Sequence, residues 1–281
     1  MGPVRHARRP ASGATGLDRA RPSCRPAGAP ATDDGPLLLT TPDDWTTAAP
    51  NAWGLREALI GFAVGLVLAG TAASIVSGIV GYHAGRDALP VSVTVSDVGA
   101  LWIGLAGAAL WASRRRGTSS LGRDFGFRVA SVWDLVGGAA VGLGTQYLLV
   151  PALYFPAEQL DSHLAHQLSA PAQRDTAAAH GLVPIVVLFA FLAIGAPVVE
   201  ELFFRGLLLR GLLGRAPAAV AIGASGLLFA LAHFEAVQFA GLAVFGVILG
   251  LLAWRTGRLG PGIAAHAAFN ASAVLSLAHL H

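Results

Sequence analysis

Seven apolar stretches follow one another after residue 52, at roughly residues 57–82, 95–113, 132–156, 182–213, 217–234, 237–254 and 261–280. Each is long enough, or nearly so, for a membrane span of about 20 residues. In lipid a helix satisfies its own backbone hydrogen bonds, so a chain of such stretches with short polar joints forms a helical bundle. Composition agrees: 54% of the residues are hydrophobic and 12% are charged, against roughly 25% charged in soluble chains. Mean hydropathy is +0.61. The sequence therefore predicts an all-α, polytopic transmembrane helical bundle of about seven spans, with eight as the alternative, behind a disordered N-terminal tail.

Three regions divide the chain. Residues 1–52 are rich in Arg, Pro, Ala and Asp and lack hydrophobic periodicity, the signature of a disordered tail. No apolar core follows their arginines, so they do not read as a secretory signal. Residues 53–156 hold the N-terminal transmembrane helices, and residues 182–276 a second, more polar set. Every one of the 19 basic residues is Arg, which points to a coding bias of bacterial type rather than to a phosphate-binding surface. The net charge of +3 lies mostly in tail and loops and implies no nucleic-acid partner. The single cysteine, Cys24, excludes an internal disulfide and a CxxC metal site. The expected surroundings are a lipid bilayer, with the chain as a multi-pass protein of the cell membrane.

The loops set an orientation. Arg114, Arg115, Arg116, Arg123 and Arg128 lie between segments two and three, Arg210 and Arg215 at the end of segment four, and Arg255 and Arg258 after segment six. The 157–181 loop has Arg174 against Glu158, Asp161 and Asp175. Placing the arginine-rich loops inside puts the N-terminus in the cytoplasm.

Segment four is unusual. It carries Glu200, Glu201 and Arg205 within an apolar run, and each ionised group near a bilayer centre costs on the order of 2.5–3.5 kcal/mol. Pro197 lies just before them, which predicts a kink or break with the glutamates in the first turn after it. Glu201 and Arg205 stand at i and i+4, the spacing of an intrahelical ion pair, and this leaves Glu200 free. From this segment alone a structural ion pair explains the charges as well as chemistry does. Further polar groups follow: His233 at the end of segment five, and His266 with Asn270, at i and i+4, on one face of segment seven. Glu235 and Gln238 follow His233 and rank below these. A lone His at a helix end is most simply interfacial, and a His or Asn within a span is most simply a helix–helix hydrogen bond.

As a set, two carboxylates, two His and one Asn on three helices make a workable hydrolytic site. A Glu can serve as general base on a water, a His can orient that water, and a His and an Asn can hold an oxyanion. Neither a Gly-x-Ser-x-Gly elbow nor a His-Glu-x-x-His zinc signature is present.

Glu-Glu-x-x-x-Arg at 200–205, Phe-x-x-x-His at 229–233 and His-x-x-x-Asn at 266–270 resemble, in order and helical placement, the three motifs of the CPBP family. These are the CAAX-protease and bacteriocin-processing (Abi) intramembrane proteins, similar to the Ras-converting prenyl protease. The likeness covers about residues 182–276. It implies an intramembrane endopeptidase acting on a peptide or membrane-protein substrate. Glu200 would be the general base, His233 would help activate the water, His266 and Asn270 would form the oxyanion hole, and Glu201 and Arg205 would support them. The family is often catalogued as metalloprotease; Glu200, Glu201, His233 and His266 would be the ligands if zinc were used, and a metal-free glutamate mechanism is preferred because Asn270 stands where an oxyanion donor is wanted. The family also includes non-catalytic members, so a membrane scaffold or bacteriocin self-immunity protein is the alternative. A transporter is the third reading, disfavoured because no repeated half with matching broken helices is evident.

Depth presents a difficulty. Counted along segment four, Glu200 lies roughly 27 Å in, near the inner face, whereas His233 lies at the outer end of segment five. Either a break at Pro197 lifts the glutamates or segment five is short or tilted.

Overall fold

The computed structural model describes residues 54–84 and 88–278; the tail over residues 1–52, with Cys24, lies outside them. Among the described residues every regular element is helical. Helix α1 is Leu55–Val80, α2 Val91–Arg116, α3 Leu121–Phe125, α4 Val132–Glu158, α5 Leu164–Thr176, α6 Leu182–Leu213, α7 Ala218–Leu231, α8 Phe239–Thr256 and α9 Gly260–Ala278. Each of the seven apolar stretches forms a helix. Helices α3 and α5 lie in polar joints where no helix was expected.

Among the described residues five helices, α1, α2, α4, α6 and α8, are long and apolar enough to cross a membrane, so the chain is a multi-pass membrane protein by length and composition. Helix α7 is apolar but has only 14 residues, about 21 Å. The expected count of seven or eight spans is not reached by this measure.

Close packing follows from small residues. Helices α1 and α2, and α7 and α8, pack as antiparallel pairs, whereas α4 and α9 pack parallel, with Gly138 against Ala264 and Gly142 against Ala265. A side chain at Gly61 would meet the Gly104 carbonyl at 2.9 Å, and one at Gly142 would meet Ala265 Cα at 3.0 Å. The Gly61-xxx-Gly65 and Gly138-xxx-Gly142 spacings are thus the notches through which these pairs approach.

Helix α6 is the central element. From Leu202 to Leu209 all eight residues are buried, with Phe203, Phe204 and Leu207 in the main apolar core beside Phe229, Phe245 and Leu249 of the neighbouring helices. The helix does not break at Pro197. Gly195 and Ala196 keep right-handed helical angles (φ −66°, ψ −49° and φ −57°, ψ −52°). A π-helical stretch over Phe189–Gly195 takes up the proline instead, with the Ala196 N–H donating to the Phe191 carbonyl five residues back. Glu200 and Glu201 therefore do not sit at a fresh helix N-terminus, and no free N–H groups stabilise them.

Contacts fix the two ends of the bundle. At one end Arg116 pairs with Glu57 at 3.2 Å, and Arg258 grips Asp134 with two 2.7 Å hydrogen bonds. Arg210 donates to the Asp124 carbonyl there as well. The Asp134 hydrogen bond, opposed by burial, raises the Arg258 pKa further above its ordinary value. At the opposite end the Tyr154 hydroxyl donates to the Val237 carbonyl at 2.9 Å and accepts from the Gly241 N–H at 3.0 Å. Helix α5 lies across the same turn. Gln238 donates to the Leu168 carbonyl at 2.6 Å, and Arg174 pairs with Glu235 at 3.2 Å.

Asp124 gives a pH prediction. Burial raises its pKa, but hydrogen bonds from Ser113, from the Thr118 N–H and hydroxyl, and from the Ser120 backbone outweigh this and hold it below the ordinary aspartate value. A carboxyl depressed on folding stabilises the fold above its unfolded pKa, and that contribution fades as pH falls through the folded value. Asp124→Asn is expected to remove this part of the acid dependence and to cost about 1–3 kcal/mol at neutral pH. Thermal unfolding in detergent across pH 3 to 7 checks it; equal acid limbs for variant and wild type would contradict it.

Candidate active site

Helices α6 and α7 share a short joint, and the depth difficulty disappears when both are counted from it. Glu200 stands about 20 Å back from Leu213, and His233 about 22 Å on from Ala218. The shortness of α7, not a break at Pro197, brings them level. Phe234, at a left-handed φ of 54°, turns the chain sharply after His233 and leads it into α8.

The start of α9 is recessed. Leu259 is fully buried, and the Leu259 and Gly260 N–H groups donate to the Gly126 and Arg128 carbonyls at 2.8 and 3.2 Å. Two turns on, this puts His266 beside α6.

Glu200 Oε2 lies 3.8 Å from His266 Nε2 and 4.0 Å from His233 Nε2. It is buried and makes no hydrogen bond. The other ring nitrogens are committed. His233 Nδ1 lies 2.8 Å from the Phe229 carbonyl, which can only accept, so Nδ1 carries the hydrogen. His266 Nδ1 lies 3.1 Å from Glu201 Oε1, a carboxylate oxygen that also takes Arg205, so it donates too. In the neutral rings both Nε2 atoms are lone pairs. Three acceptors thus face one another across gaps too long for direct hydrogen bonds, an arrangement that calls for an O–H donor between them.

Glu201 is fully buried. Its Oε1 receives Arg205 Nη1 at 2.8 Å. Arg205, also fully buried, donates from Nη2 to the Gly246 carbonyl at 2.9 Å and lies over the Phe229 ring, 4.5 Å from its centroid. Phe229 also meets His233 and His266 edge-on, at 4.6 and 5.4 Å between centroids. The expected i, i+4 pair is present, and its further reach to His266 was not legible. Gly262 leaves room for this carboxylate: a Cβ there would lie 2.9 Å from Glu201 Oε2.

Asn270 is placed differently. It lies one turn beyond His266 on α9, and its amide donates to the Leu192 carbonyl at 2.9 Å. In the π register that carbonyl would accept from residue 197, where proline has no N–H. Asn270 satisfies the acceptor that Pro197 leaves bare. The structure thus groups Glu200, His233, His266, Glu201 and Arg205, and ties Asn270 to the α6 backbone beside them.

Among the described residues no group of three or more His, Cys, Asp or Glu side chains is arranged to hold a metal ion. Glu201 in particular is turned to Arg205 and His266 rather than to the space between Glu200 and His233. Sequence reading missed Tyr154, which staples the turn after His233, and the Gly246 and Leu192 carbonyls. Backbone acceptors leave no mark in a side-chain pattern, and nothing distinguished Tyr154 from its apolar neighbours.

Residues 182–272 match the family model Rce1-like, described as type II CAAX prenyl endopeptidase Rce1-like. The match starts at the first residue of α6 and ends within α9, so it takes in Glu200, His233, His266 and Asn270 and leaves α1 to α5 outside. This part of the chain is an Rce1-like domain, consistent with the CPBP/CAAX protease family. Searches of curated proteins and of solved structures gave no match.

Proposed function

We propose that the protein is an intramembrane endopeptidase in which Glu200 is the general base on a hydrolytic water. The observation that supports this best is the unbonded Glu200 Oε2 facing two imidazole lone pairs at 3.8 and 4.0 Å. A water there can donate to Glu200 and to one His at once. As its oxygen attacks a peptide carbonyl, its proton passes to Glu200, which then delivers it to the leaving amine. His233 orients the water. It is the more open of the two rings, with 31% of its side chain exposed. The Asn270 amide stabilises the oxyanion of the tetrahedral intermediate, and His266, with its Nε2 lone pair free, accepts the second hydrogen of the water rather than donating to the oxyanion. Asn270 has a second N–H beyond the one given to Leu192. Glu201 and Arg205 hold His266 in the tautomer this needs.

The substrate class is a peptide segment within or beside the bilayer. No metal is assigned to the reaction. Purified full-length protein in detergent, incubated with a quenched-fluorescent CAAX-type peptide with and without a farnesyl group, tests the reading. Cleavage by wild type, unchanged by a chelator and absent for Glu200→Ala, is expected. Cleavage retained by Glu200→Ala would overturn Glu200 as base, and loss on chelation would overturn the metal-free reaction.

A further inference from the structure

A proline inside a helix removes one N–H and leaves one carbonyl without its partner. In α6 that loss falls beside the candidate site. The π-helical stretch Phe189–Gly195 ends with the Ala196 N–H on the Phe191 carbonyl. The next carbonyl, that of Leu192, therefore faces residue 197 and its missing N–H. Ala196 and Pro197 are buried, and an unpaired carbonyl in such a place is costly. The register is held from outside by α2. Trp102 stacks on Phe191 with 5.0 Å between ring centroids, and a Cβ at Gly195 would lie 2.9 Å from its Cζ2.

The Asn270 amide takes up the Leu192 carbonyl at 2.9 Å. The chemistry depends on which end of the amide does so. An asparagine side chain has a donating NH2 and an accepting oxygen, and a half-turn of the amide exchanges them. A carbonyl only accepts, so it selects the NH2 end. The same half-turn decides whether Asn270 offers its remaining N–H or its oxygen to a developing oxyanion. An N–H stabilises that charge, and an amide oxygen repels it.

We infer that Pro197 is a positioning residue: by lacking an N–H it leaves the Leu192 carbonyl to lock the Asn270 amide in its donor orientation. The lock stands on the hydrogen bond itself, and its catalytic consequence rests on the proposed role of Asn270 at the oxyanion. Giving the helix back an N–H at 197 should then improve the helix and harm the reaction. A purely structural proline would not separate the two.

The chain has two asparagines, Asn51 and Asn270. Full-length protein labelled with ¹⁵N-asparagine, in detergent, thus shows two side-chain amides, and Asn51→Ser assigns them. Two replacements separate the missing N–H from the ring. Pro197→Ala restores the N–H, whereas lactic acid at position 197 makes a backbone ester with neither ring nor N–H. In wild type and in the ester protein, one Asn270 amide proton is expected to exchange with solvent at least about tenfold more slowly than those of Asn51. In Pro197→Ala this protection is lost, while the unfolding midpoint equals or exceeds that of wild type. Hydrolysis of the CAAX-type peptide should follow the same order. Pro197→Ala lowers kcat about tenfold with KM unchanged, a part of the roughly 10²–10³-fold cost of losing an oxyanion donor. The ester protein stays near wild type, and Pro197→Ala adds no further loss to Asn270→Ala. Unchanged Asn270 signals in Pro197→Ala would overturn the inference, as would an ester protein impaired as much as Pro197→Ala. The amide signals need no activity. A protein that cleaves nothing, or whose cleavage survives Glu200→Ala, overturns the proteolytic function, and the signals still decide the lock.

Discussion

Glu200→Gln is expected to lower peptide hydrolysis by roughly 10²–10⁴-fold, the range a positioned general base supplies, while leaving the fold intact. The two halves of this expectation have different grounds. Activity falls because an amide cannot take the proton of the water, although its shape is nearly that of the carboxylate. The fold stays because Glu200 Oε2 has no hydrogen-bond partner to lose. Thermal unfolding of the variant in detergent should match wild type within experimental scatter, and the deficit should lie in kcat. A deficit accompanied by a large loss of stability would mean that Glu200 is structural. Undiminished turnover would mean that the base lies elsewhere.

Arg205→Met is expected to do the opposite: to destabilise the protein by about 3–5 kcal/mol, the usual cost of removing one partner from a buried ion pair. Arg205 and Glu201 are both fully excluded from solvent. Without the guanidinium, the Glu201 carboxylate keeps only the His266 Nδ1–H, and the Gly246 carbonyl loses its donor. The packing of the guanidinium on Phe229 is lost as well. Much of the penalty comes from the stranded charge, so neutralising it should give part of it back. The double variant Glu201→Gln/Arg205→Met should be more stable than Arg205→Met alone. Unfolding midpoints of the three proteins in one detergent decide this, and a double variant less stable than Arg205→Met would refute the stranded-charge explanation. Activity should fall in both, because His266 takes its orientation from Glu201.

These expectations rest on features of uneven legibility. Helix positions were readable because lipid demands apolar runs of fixed length, and all seven became helices. The Glu201–Arg205 pair was readable because i, i+4 spacing is a local property. Helix α5 was not, because its sequence mixes polar and apolar residues and contains Pro171. Pro197 was misread. A proline removes one N–H, and sequence alone does not show that a π-helical stretch can absorb the defect or that Asn270, 73 residues on, supplies the missing donor. The depth difficulty arose from counting α6 from its far end. Helix α6 has 32 residues, about 48 Å, well beyond a bilayer core, and only its joint with α7 provides a common level. What the sequence could not carry was the third dimension of the site: that His266 joins Glu201 on one side and faces Glu200 on the other.

The central claim is that Glu200, His233 and His266 act on one water as a unit. Groups that work as a unit show strongly non-additive losses, whereas independent groups multiply. The most direct test is kcat/KM for Glu200→Gln, His266→Ala and the double variant on one peptide, with unfolding midpoints confirming that each protein is folded. A double variant no slower than the worse single variant is the predicted result. Losses that multiply would contradict it.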